Sequence, residues 1–172
     1  KKHTTMALSQ NCILNNLEIE HKIRRISYQI YESNIDQKEI ILAGIFKNGF
    51  ILSKKIKNEL EKISKIKVLL CKVEIDKKNP INEVKTSLKP DQYKNKSIVL
   101  IDDVLHSGTT LIYGVKHFLD SPLQKFKTAV LVNRNHKKYP VKADFKGISL
   151  STSLNKHVEV SFVKDDSRVI LL

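Results

Sequence analysis

Tryptophan is missing from this chain, and aromatic residues are few: six Phe and five Tyr. That scarcity argues against an aromatic platform on which single-stranded nucleic acid would stack. Two cysteines, Cys12 and Cys71, make no disulfide framework, and their spacing matches no zinc motif. A reducing, cytoplasmic setting is the simplest expectation. No apolar run approaches the ~20 residues of a membrane span, and no secretory hydrophobic region is present. The glycine–lysine spacing of a Walker phosphate loop is absent. Neither an internal repeat nor a low-complexity tract stands out.

What the chain has in excess is positive charge, +13 from 31 Lys and Arg against 18 Asp and Glu. Such a balance suits a polyanionic partner, RNA, DNA or phosphate-rich small molecules, although the lysines are dispersed rather than massed in one tail. With 172 residues, the sequence is read as a single domain, 1–172, able to bury a sizeable core. Residues 1–5, "KKHTT", precede the only methionine, Met6, and are expected to be frayed or extraneous to the fold.

Periodicity orders the rest. Ile19, Ile23, Ile26 and Ile30 step by four, three and four, which predicts a helix over 17–31. "EIILAGI", 39–45, reads as a buried strand, and Leu52, Ile56, Leu60 and Ile63 mark a second amphipathic helix. "KVLLCKV", 67–73, is another strand. The polar stretch 74–96, broken by Pro80 and Pro90, is expected to be a flexible loop or a hairpin. "SIVLIDD" begins a strand at Ser97, a helix is expected over 109–120, and "KTAVLVN", "HVEVSFV" and "RVILL" read as strands. This alternation predicts an α/β domain with a mainly parallel central sheet flanked by helices. Such sheets bind ligands at the carboxyl ends of their strands, where strand order reverses.

One stretch carries the chemistry: "SIVLIDDVLHSGTTLIYGV", 97–115. Gly108 frees the backbone of the loop, and Ser107, Thr109 and Thr110 offer hydroxyl donors. The helix that follows contributes unpaired N–H groups and the positive end of its dipole. Together these form a nest for one phosphate group. Asp102 and Asp103 precede the nest, placed where a turning strand end lets both reach a sugar. Two carboxylates suit the vicinal hydroxyls of ribose and can hold Mg²⁺ directly or through its water. A phosphate nest beside a diol clamp describes a ribose 5-phosphate site.

"VLIDDVLHSGTT" resembles the phosphoribosyl-diphosphate (PRPP) motif of type I phosphoribosyltransferases, and "GIFKNG", 44–49, stands where that family has its pyrophosphate loop. "VNRNHKKYPVKADFKGISLSTS", 132–153, together with "NCILNNLEIEHKIRRISYQI", is similar to the bifunctional pyrimidine-operon attenuator/uracil phosphoribosyltransferases. The resemblance implies the type I fold with a small hood built from the chain ends, and a homodimer or higher oligomer. It implies transfer of ribose 5-phosphate from PRPP to a free base, uracil favoured, with Mg²⁺. Asp102 and Asp103 would bind ribose and metal, and His106, Ser107, Gly108, Thr109 and Thr110 the 5-phosphate. Phe46, Lys47, Asn48 and Gly49 would bind pyrophosphate across a cis Phe46–Lys47 peptide. Phe145 and Lys146 would meet the base, with core packing the alternative for Phe145.

Three positions depart from the family pattern. His106 replaces an aspartate of the purine enzymes and an aromatic residue of the pyrimidine regulators, so it is either a catalytic acid–base or a phosphate donor. Asn48 replaces an arginine. The 74–96 segment lacks the aromatic–arginine–acidic run of the family lid, leaving Lys77, Lys78, Lys85 and Lys89 as substitutes or as solvated surface. Two alternatives to the uracil enzyme follow: a catalytically weak, nucleotide-sensing regulator that binds RNA, and a purine phosphoribosyltransferase.

Overall fold

The computed structural model describes residues 11–134, 136–151 and 156–172. The expectation for "KKHTT" lies outside the described residues, as do Asn135, Thr152 and Ser153 of the 132–153 stretch.

In chain order the elements are β1 (Cys12–Leu14), α1 (Asn16–Ser33), β2 (Glu39–Ile45), α2 (Asn48–Ile63), β3 (Lys67–Glu74), β4 (Lys85–Thr86), α3 (Pro90–Tyr93), β5 (Ser97–Leu105), α4 (Thr109–Phe118), β6 (Lys125–Arg134), β7 (Phe145–Leu150), β8 (Val158–Ser161) and β9 (Arg168–Leu171). Among the described residues they form two sheets. The larger has the order β4-β3-β2-β5-β6-β7, and the smaller β1-β9-β8. The larger sheet is parallel except for β4, which pairs antiparallel with β3. The smaller, antiparallel sheet joins the two chain ends, as the hood was expected to do.

β2 shows why the sheet is central. Its side chains alternate between two cores: Ile40 and Leu42 pack with α1, α2 and the hood, while Ile41, Ala43 and Ile45 pack with α4 on the other face. A strand buried on both faces reads as the continuous apolar run "EIILAGI". The first core takes the periodic face of α1, Ile19, Ile23, Ile26 and Ile30. That helix starts at a capping box: Asn15 Oδ1 accepts the Glu18 N–H at 2.9 Å, and the Asn15 N–H donates to Glu18 Oε2 at 2.8 Å. The second core is closed by an edge-on aromatic row in which Tyr93 and Phe118 lie 5.1 Å apart and Phe118 and Phe126 5.7 Å apart.

The 74–96 segment contains one short hairpin strand, β4, and one helical turn, α3, which buries Tyr93. Strand order reverses between β2 and β5, because β2 leads to β3 on one side while β5, β6 and β7 extend on the other. The crevice at such a switch point lies beyond the carboxyl ends of those two strands. The loops that leave them are 46–47 and 106–108.

Candidate active site

β5 runs on to Leu105, so the acidic pair lies inside the strand rather than at its turn. This corrects the expectation that both carboxylates swing toward one point. Strand alternation sends them to different cavities. Asp102 lines a hollow of ≈ 70 Å³ with Val104–Leu111 and Val130. Asp103 lines a cleft of ≈ 310 Å³ beneath the hood, with Asn48, Lys77, His106, Arg134, His157 and Val160 among its walls. Val104 and His106 border both cavities, so the two open on either side of one strand tip.

β5, the loop 106–108 and α4 fold as a strand, a small polar turn and a helix, in the order the sequence suggests. Gly108 caps α4 at φ 85°, a conformation open to glycine and strained for other residues. A side chain there would also meet Val141 Cγ1 at 2.5 Å. The Ser107 and Thr109 hydroxyls are 2.9 Å apart, and the Thr109 N–H reaches Ser107 Oγ at 3.3 Å. From outside, the N–H groups of Lys138 and Tyr139 both donate to the Ser107 carbonyl, at 2.7 and 3.2 Å. The "KKYP" stretch thus fixes the loop, a role the sequence did not announce. The hollow is lined by Ser107, Thr109 and Thr110 at the amide end of α4, together with Asp102, His106 and apolar residues of β5 and β6.

Asp102 is 5% exposed. Burial, and then the like charge of Asp103, hold its carboxyl well above the usual carboxylate range. Its Oδ1 accepts the Asp103 N–H at 2.9 Å. The start of α2 presses against it: a Cβ on Gly49 would lie 2.6 Å from the Ile101 carbonyl oxygen and 3.2 Å from Asp102 Oδ1. Gly49 therefore permits the helix to reach the strand. Asp103 is held by two donors, the Val104 N–H at 2.9 Å and Asn48 Nδ2 at 3.0 Å.

The Phe46–Lys47 peptide is cis, as the resemblance implied. Phe46 and Lys47 are exposed, with the Lys72 ammonium 5.3 Å from the Phe46 ring centre. His106 stands edge-on to His136, ring centres 5.8 Å apart. Partial burial, and then the charges of Arg134, His136 and His157, lower its pKa and favour the neutral imidazole. Of the four candidate lysines in 74–96, Lys77 lines the cleft and its charge favours ionised Asp102, while Lys85 lies in β4.

The structure does not bring Phe145 and Lys146 to this cleft. Phe145 opens β7, paired with Ala129, and packs against the first core, the alternative already named for it. Lys146 is exposed, and its carbonyl accepts from Arg25. Residues that sequence reasoning left unassigned take their place around the cleft: Arg134, 2% exposed at the end of β6, and His157, just ahead of β8. Both lie in or beside quoted motifs, but only the packing of the hood over β6 gives them a shared wall.

The donor set fits Mg²⁺. This ion takes one or two carboxylates and completes its octahedron with water and substrate phosphates. Asp103, which faces the open cleft, supplies one such carboxylate, while buried Asp102 faces the other cavity.

Comparison with known proteins agrees with this geometry. The model of the phosphoribosyl transferase domain matches residues 9–166. Bifunctional protein PyrR of Fusobacterium nucleatum is 32% identical over 171 residues, 95% of this chain and 97% of that protein. PyrR of Streptococcus thermophilus is 30% identical, covering 91% and 92%. Among solved structures, the hypoxanthine phosphoribosyltransferase of Trypanosoma cruzi superposes with a TM-score of 0.75 at 15% identity, over 93% of this chain and 95% of that one. The hypoxanthine-guanine phosphoribosyltransferase of Bacillus anthracis gives 0.70 at 17% identity, over 82% of each. With the family model matching residues 9–166 and relatives about 30% identical along nearly its whole length, the chain belongs to the phosphoribosyltransferase family.

Proposed function

We propose that the protein transfers the ribose 5-phosphate of PRPP to a free nucleobase, uracil favoured, and releases pyrophosphate. The observation that carries this reading is the hollow at the start of α4, where Gly108 at φ 85° and three hydroxyl residues sit beside the Asp102 carboxyl, with Asp103 in the adjoining cleft. In the reaction a base nitrogen forms a bond to C1 of ribose as the C1–oxygen bond to diphosphate breaks, and the sugar carries positive charge in between. The protein acts by placing the partners and balancing that charge. Residues 106–110 hold the 5-phosphate. Asp103 meets the ribose hydroxyls from the cleft, and Asp102 backs it from the phosphate side. Lys47 and the backbone of the cis loop face the diphosphate, and bound Mg²⁺ supplies positive charge to that leaving group. His106, which borders both cavities and whose lowered pKa favours the neutral imidazole, takes or gives a proton near the base in this reading. The cleft wall of Arg134 and His157, rather than Phe145 and Lys146, contacts the base in this reading.

The 132–153 stretch favours uracil, while the solved neighbours named for hypoxanthine and guanine keep the purine alternative in the test. A screen of uracil, hypoxanthine and guanine with PRPP and Mg²⁺ decides it. Uracil should turn over fastest, and faster purine turnover overturns the base assignment. A homodimer or larger assembly belongs to the same proposal and is checked by light scattering.

The regulator reading rests on the chain's excess of basic residues, 31 Lys and Arg against 18 Asp and Glu. RNA binding that weakens steeply with salt, with no turnover of any base, selects it.

A further inference from the structure

Asn48 opens α2 in the loop expected to grip pyrophosphate, yet its side chain turns away from that loop. Its Nδ2 donates to Asp103 Oδ2 at 3.0 Å and to the Val160 carbonyl oxygen at 2.9 Å. An amide nitrogen has two hydrogens, so both are committed, one to β5 and one to the hood strand β8. Val160 is 5% exposed and pairs with Val169 of β9, so this bond reaches a packed part of the hood. Asp103 is fixed from its other oxygen by the Val104 N–H. One side chain thus joins the start of a helix, the acidic tip of a central strand and the floor of the cleft.

Resting on the transferase reading, we propose that Asn48 is a positioning residue that latches the hood to Asp103, and that it does not contact the diphosphate. It sets the distance between the carboxylate that meets ribose and the strand that floors the base cleft. A neutral donor does so while leaving the charge of Asp103 uncancelled, which an arginine at this position would not. The expected pyrophosphate role of Asn48 is replaced by this one.

The experiment compares wild type with N48A and N48D, full chain, by hydrogen exchange and by calorimetric titration with UMP and with pyrophosphate. In N48A the amides of 158–161 and 168–171 should exchange about tenfold faster while those of α4 are unchanged. In N48D the acceleration should be larger, because a carboxylate then faces Asp103 and a carbonyl. UMP affinity should fall about tenfold in N48A and pyrophosphate affinity stay within twofold. Unchanged hood exchange, or a loss confined to pyrophosphate, overturns the latch. If wild type binds neither UMP nor pyrophosphate, the transferase reading fails, while hood exchange still judges the latch alone. Should both variants fail to fold, the Asn48 side-chain amide of wild type decides: slow exchange supports the latch, and exchange as fast as free asparagine overturns it.

Discussion

Gly108 and Asp102 are where single side chains weigh most. At φ 85° an alanine costs about 1–2 kcal/mol, and its methyl would run into Val141. Gly108→Ala should therefore lower the melting temperature by several degrees and abolish detectable nucleotide binding, read by calorimetry on the folded variant. Asp102 runs the other way. Its carboxyl is raised by burial and by Asp103, so the folded state binds its proton more tightly than the unfolded one. That contribution is present at low pH and is lost as pH rises through the folded pKa. Asp102→Asn should raise the melting temperature at pH 8 by a few degrees, with little change at pH 4, and cut turnover at least a hundredfold. A lower melting temperature at pH 8 would mean the carboxylate is not strained by its site.

The elements explain why some parts of the site were legible and others not. The strand 39–45 and the face of α1 announce themselves because one core demands one period, 2 or 3.6. The nest was legible because its parts are consecutive: strand, small polar loop, helix. β5 runs two residues past "SIVLIDD", since nothing in "DDVL" marks where backbone pairing with β6 stops; Leu105 still pairs with Asn133. That overrun separates the two carboxylates. β7 was hidden because Phe145 and Lys146, expected at the base, open an edge strand instead, and Phe145 packs against the core with it. Arg134 ends β6, Asn48 opens α2 and His157 precedes β8, and no local pattern links them. Two element-level outcomes follow. Asn15→Ala removes the capping box of α1 and should cost about 1 kcal/mol in denaturant unfolding, with catalysis unaffected. Gly49→Ala forces α2 off the Ile101–Asp102 backbone, so turnover should fall more than tenfold even where the variant stays folded.

For the molecule as a whole, acid is the expected weakness. Glu39 pairs with Lys67 at 2.8 Å and Lys96 at 3.1 Å, tying the starts of β2 and β3 to the residue before β5. Hydrogen bonds from Lys67 and then Lys96 lower its pKa, so its contribution is present above the usual carboxylate range and is lost as pH falls through the folded value. His117, lowered by burial, takes up a proton more readily unfolded, so its contribution also fades as pH falls below the ordinary imidazole range. Melting temperature should thus decline from pH 7 to pH 4, and H117Q should flatten the upper part of that decline. Basic charge spread over the surface and a cleft under a hood made from both chain ends leave the phosphate nest as the feature on which function turns. Titration of wild type with UMP and with uridine separates it from everything else. UMP should bind at least a hundredfold more tightly than uridine, and a triple S107A/T109A/T110A variant should erase most of that gap. Equal affinity for the two in wild type would contradict the ribose 5-phosphate site.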